Sequence, residues 1–135
     1  MKAKTTKLID TLNRYIADYE RMYKNGVLHI NNFGYIYTIS NSLILKQLYV
    51  AETFKINLSR ILRDIQEYTT DYAASIDDVK NYLQIEYDRY VKMRMEYKPV
   101  PYNTDPMKNL TSLWEFESAV DFIKILKSLL NIVSV

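Results

Sequence analysis

The chain contains no cysteine, which removes disulfide cross-links and thiolate metal sites. Glycine occurs twice and proline three times in 135 residues. A many-stranded sheet needs frequent tight turns, so this shortage of backbone breakers favours long helices. His29 is the lone histidine, and there is no glycine-rich phosphate loop. A metal constellation therefore lacks its usual nitrogen and sulfur ligands, and a serine nucleophile would have only His29 to activate it. His29 falls in a β-rich run, where it reads as a partly buried structural residue. The carboxylate pair Asp77-Asp78 stands at a helix start, where negative charge is stabilising without any catalytic role. No apolar run approaches the roughly 20 residues needed to cross a bilayer. The opening MKAKTTK leads directly into an amphipathic pattern, without the roughly 7–15-residue apolar stretch of a signal peptide. These absences predict a cytoplasmic, non-enzymatic protein with no membrane partner, no cofactor and no metal.

What is present suits a folded domain. Apolar residues make up 48% and charged residues 25%, a globular rather than a disordered composition, and the length fits a single domain over residues 1–135. The net charge of +2 is unevenly placed. Met1 to Arg63 carries ten Lys/Arg against four Asp/Glu, whereas Asp64 to Val135 carries eight against twelve. The basic front half is where an anionic partner would be attracted, although solvated faces with a chance imbalance explain it equally well. Abundant Lys, Ile, Tyr and Asn suits the AT-rich genomes of viruses and mobile elements.

The clearest pattern lies between Ser42 and Tyr68. Leu45, Leu48 and Tyr49 share one helical face, continued by Ala51 and Phe54. After Lys55-Ile56-Asn57, the residues Leu58, Ile61, Leu62, Ile65 and Tyr68 recur at the spacing of a second amphipathic helix. Two short helices joined by a three-residue turn predict a helix-turn-helix-like pair over 43–68. Ala51, Ile56 and Ile61 occupy the small, turn and anchor positions of such a unit, while Lys55 stands where its turn ordinarily has glycine. In a DNA-reading arrangement Asn57, Ser59, Arg60 and Arg63 would face base edges and phosphates, with Lys46 and Lys55 adding phosphate attraction. The run VAETFKINLSRILRDI resembles the N-terminal segment of the phage Rha regulatory proteins, where a similar VAE-F…VLRDI pattern occurs. The resemblance covers sixteen residues, and the rest of the chain does not follow that family's pattern.

Along the chain, the spacing of Leu8, Leu12, Tyr15, Tyr19 and Met22 predicts a first helix from about Thr6 to Lys24, stopped by Asn25-Gly26. VLHI and YIYTI around Asn31-Asn32-Phe33-Gly34 read as a small β-hairpin. Ser40-Asn41-Ser42 then supplies caps for the next helix, as Asn57 does for the one after it. Ser75 with Asp78 predicts a capping box for a helix running to about Tyr97, ended by Pro99-Val100-Pro101 and a loop from Tyr102 to Pro106. Ser112 with Glu115 predicts the start of a last helix near Leu113. That helix carries an unusually broad apolar arc, in which Phe122, Ile125, Leu129 and Ile132 lie beside the main stripe. Such an arc is either buried centrally or forms an oligomer interface.

The expected fold is all-α, a bundle of five helices with one hairpin. The expected function is a DNA-binding regulatory protein of a virus or mobile element, acting as a homodimer or higher oligomer. The competing expectation is a helical protein–protein interaction protein, an inhibitor or assembly subunit.

Overall fold

The computed structural model describes residues 2–33, 39–70, 75–96 and 106–134. The described residues form four helices and no strand: α1 Lys2–Phe33, α2 Ile39–Thr70, α3 Ile76–Met95 and α4 Pro106–Ser134. The all-α class holds, and the finer expectations are corrected at three helix boundaries.

The first correction concerns Asn25-Gly26, which does not stop α1. The helix continues through Val27, Leu28, His29 and Ile30, so the expected first strand is helical. Residues 35–38 of the expected second strand lie outside the described residues. Glycine in a helix interior costs about 1 kcal/mol relative to alanine. Here it serves close packing, because a Cβ at Gly26 would stand 2.6 Å from Leu48 Cδ2.

The second correction concerns Lys55-Ile56-Asn57. These residues are helical, and α2 runs unbroken for 32 residues, so the expected helix-turn-helix pair is a single helix. No glycine or proline stands anywhere in α2, and the backbone has no reason to break. What interrupts the apolar pattern is only Ile56, which points outward and is 60% exposed. Ser40, Asn41 and Ser42 accordingly lie inside the helix.

The third correction is α4, which begins at Pro106 rather than near Leu113. Proline is tolerated at a first helical position because its missing N–H would have had no partner there. Ser112 therefore lies within the helix, not at its cap. The start of α3 matches its sequence signal: Asp78 N donates to the Ser75 hydroxyl at 3.2 Å, and Ser75 N donates to the Asp78 carboxylate at 3.0 Å. The expected Pro99-Val100-Pro101 stop and the loop up to residue 105 lie outside the described residues.

Cross-helix contacts define the topology. Tyr19 meets Phe54 and Gly26 meets Leu48, so α1 and α2 are antiparallel. Arg60 pairs with Glu86 and Asp64 with Tyr82, so α2 and α3 are antiparallel as well. Tyr90 and Arg94 of α3 lie against Phe122 and Phe116 of α4, again antiparallel. The result is an up-down-up-down bundle. One end gathers the start of α1, the end of α2, the start of α3 and the end of α4. The other end gathers the opposite termini.

The two ends are built differently. The main core takes Leu8 and Leu12 from α1, Leu58, Ile61 and Ile65 from α2, and Val79 and Leu83 from α3. From α4 it takes Phe122, Ile125, Leu126, Leu129, Leu130 and Val133. Apart from Phe54 and Phe122 near mid-height, all of these lie toward the first end. Each fully buried side chain of this size contributes about 1.5–3 kcal/mol. Stability is therefore concentrated in what is here called the closed end.

Candidate functional site

The residues expected to read DNA do not share a surface. On one continuous helix each residue advances 100°, so Lys55 and Arg60 point about 140° apart. Lys55 Nζ lies 3.8 Å from Glu20 of α1. Lys46 turns the other way and pairs with Glu117 of α4. Asn57 and Ser59 are half-buried. Arg63 is the most open cation of the segment, with 73% of its side chain exposed and Asp64 at 3.8 Å.

Arg60 is directed into the fold. Its Nη1 donates to Glu86 Oε1 at 2.8 Å and its Nη2 to Glu86 Oε2 at 3.1 Å, a two-pronged bond between α2 and α3. Arg89 donates to the same carboxylate at 2.7 Å, and only 8% of the Glu86 side chain is exposed. The hydrogen bond to Glu86 holds the Arg60 guanidinium above its ordinary pKa. Beside it, the Tyr82 hydroxyl donates to Asp64 at 2.6 Å. Burial, and then this bond, push that phenol well above the usual tyrosine range. The cluster ties α2 to α3 and commits Arg60 to Glu86.

The broad arc of α4 is likewise accounted for. Phe122, Ile125 and Leu129 are buried in the chain's own core, and Ile132 is half-buried against it. Central burial, rather than an intersubunit face, is where the structure puts the first three.

The open end presents the surface that sequence reading passed over. Among the described residues eleven large apolar side chains are exposed. Eight of them, Met22, Tyr23, Leu28, Leu43, Leu45, Met93, Met95 and Leu113, lie toward this end. Tyr68 and Ile85 lie toward the closed end, with Ile56 at mid-height. Two depressions open here. The wider, of about 360 Å³, lies where α1, α2 and α4 meet, with Met22, Leu43 and Val50 on its walls and Lys46, Glu117 and Asp121 at its rim.

The narrower depression, of about 140 Å³, lies between α2, α3 and α4. Phe54, Tyr90 and Phe122 line it with rings, with Phe54–Phe122 centroids 5.0 Å apart and Tyr90–Phe122 4.5 Å. Thr53, Asn57, Glu115 and Ser118 bring polar groups to the same space. Glu115 does not complete a capping box. Its Oε1 accepts from the Tyr49 hydroxyl at 2.5 Å, and Tyr49 packs at a tilt against Trp114 with centroids 5.8 Å apart. Burial first, then the bond to Glu115, push the Tyr49 hydroxyl up to about 12. The signal for this cleft was present in the sequence, since Glu115, Phe122 and Leu129 are spaced by seven residues. A carboxylate thus stands in line with the core stripe.

Among the described residues no three His, Cys, Asp or Glu side chains are grouped to hold a metal ion, and no helix is long and apolar enough to cross a membrane. Compared with protein families, curated proteins and solved structures, the chain matches none.

Proposed function

We propose that this chain is a helical protein-interaction module, without catalytic activity, that engages its partner through the open end of the bundle. The observation that carries this reading is the uneven distribution of the two kinds of apolar residue. Most core side chains gather toward one end, with Trp114 a buried exception, and eight of the eleven exposed large apolar side chains among the described residues lie toward the other. Exposed large apolar side chains gathered around a concavity mark a candidate docking surface. Methionines such as Met22, Met93 and Met95 suit them because their flexible thioethers adapt to a partner's shape. The wide depression at the α1–α2–α4 junction supplies a concave centre, with Asp121 at its rim beside the Lys46–Glu117 pair, which favours a partner carrying a basic residue beside its apolar ones.

DNA binding through residues 55–63 is the weaker reading. It loses its turn, and Arg60 commits both terminal nitrogens of its guanidinium to Glu86.

The test is site-specific photo-crosslinking in cells producing the protein, with the photoreactive residue at Leu43 or at Tyr68, beside light scattering of the purified chain. Adducts from position 43 but not from 68, lost when Met22→Asp is added, are the expected result. A second copy as partner would appear as a mass that rises with concentration. Equal adducts from both ends, or none together with a monomeric mass at every concentration, would remove the proposal.

A further inference from the structure

We propose that the cleft between α2, α3 and α4 is a binding site for a primary ammonium group carried on a small apolar body. This goes beyond the docking surface and does not rest on it. Three features point to that chemistry. Phe54, Tyr90 and Phe122 form a ringed floor, and aromatic faces attract cations as well as apolar groups. Glu115 brings a carboxylate to the same space, with one oxygen held by Tyr49 and no protein donor on the other among the described residues. Asn57 brings a half-buried carboxamide that likewise has no protein partner among the described residues. A half-buried polar group is stabilised by a hydrogen bond, and an ammonium supplies three donors.

Size limits the ligand. The cleft measures about 140 Å³, comparable with the roughly 150 Å³ cavity that accommodates a benzene ring. One ring or a short alkyl chain fits, and a nucleotide does not. Orientation follows from the lining: the apolar body on the rings, the ammonium toward Glu115 Oε2. The same chemistry is offered by a free amine and by a lysine side chain of a partner protein.

Trp114 is the chain's only tryptophan and packs against the tyrosine bonded to Glu115, so its fluorescence reports on the cleft. The full-length protein would be titrated with benzylamine, with benzyl alcohol as the neutral isostere, and with N-acetyl-lysinamide as the side-chain form. Saturable binding of benzylamine or of the lysinamide, with benzyl alcohol at least about tenfold weaker, is expected. Benzylamine alone would identify a free amine, and the lysinamide alone a partner's lysine. Glu115→Gln, at an exposed position, is expected to keep its urea midpoint and to erase the preference for the charged ligand. Equal binding of amine and alcohol by the native chain, a preference that survives Glu115→Gln, or no saturable signal from any probe would overturn the proposal.

Discussion

Replacing Arg60 with alanine strips Glu86 of two of the three hydrogen bonds its carboxylate receives, leaving only that from Arg89. Cutting one member out of a fully buried ion pair costs about 3–5 kcal/mol, because the other charge is left without a partner. Two features lower the figure here. The Arg60 side chain is 30% exposed, so water reaches part of the vacated site, and Arg89 still neutralises Glu86. A loss of about 2 kcal/mol follows. For a chain of this length that corresponds to roughly 6–10 °C in melting temperature. Urea unfolding followed by circular dichroism measures it directly. Arg63→Ala is the control, since its side chain is 73% exposed and its nearest carboxylate oxygen is 3.8 Å away; it should move stability by no more than about 0.5 kcal/mol. Arg60→Met with Glu86→Leu should recover most of the loss, because apolar groups of similar size need no partner. Equal midpoints for the two single arginine variants would refute the reasoning. Arg60 would then be a solvated cation, and a role for it at a nucleic acid would again have a physical basis.

Gly26→Ala should cost about 1 kcal/mol in the native background, where the new methyl strikes Leu48 and overpacking outweighs the gain in helix propensity. In a Leu48→Ala background the same change should stabilise by up to about 1 kcal/mol, and a matching sign in both backgrounds would contradict the close α1–α2 approach. The Tyr49 hydroxyl is raised from 10.0 to about 12, so the unfolded chain releases this proton first. Its contribution is complete below pH 10 and is lost as pH rises toward about 12. Tyr49→Phe should flatten part of the alkaline loss of stability, while Tyr19, Tyr82 and Tyr90, raised in the same direction, maintain the remainder. Amide hydrogen exchange should be slower over residues 58–65 of α2 than over 43–50, because buried core side chains line only the former. Uniform protection along α2 would count against the division into a closed and an open end.

The parts of the fold legible in the sequence are those fixed by neighbouring residues. Ser75 and Asp78 satisfy each other across three positions, so the start of α3 could be placed from a short window. The scarcity of glycine and proline was enough for the all-helical class. What could not be read depends on distant partners. Asn25-Gly26 carries the residue types of a helix stop, yet Gly26 is spent on Leu48, 22 positions away. Lys55-Ile56-Asn57 breaks an apolar stripe without breaking a backbone, and hydropathy alone does not separate the two. The charge of Arg60 was visible, but its partner Glu86 lies 26 residues on, and nothing local distinguishes a cation held by the fold from one offered to a ligand.

The inner stripe of α4 explains why these distant pairings leave one end open. Toward the C-terminus it is occupied by Phe122, Leu126, Leu129 and Val133, all buried. One and two turns before Phe122 the stripe changes to Ser118 and Glu115, and α2 brings Thr53 and Asn57 to the lining of the same cleft. An apolar core cannot extend past a carboxylate unless that group is neutralised or left near water. Glu115 takes the second course and remains exposed, with a single bond from Tyr49. A cleft opens at this level, and apolar residues beyond it, such as Leu43 and Leu113, remain exposed, although Trp114 is buried. A leucine at position 115 would continue the stripe, draw α2, α3 and α4 together and stabilise the bundle. The carboxylate at position 115 thus leaves one end less tightly packed, and the proposed interaction depends on the apolar surface exposed there.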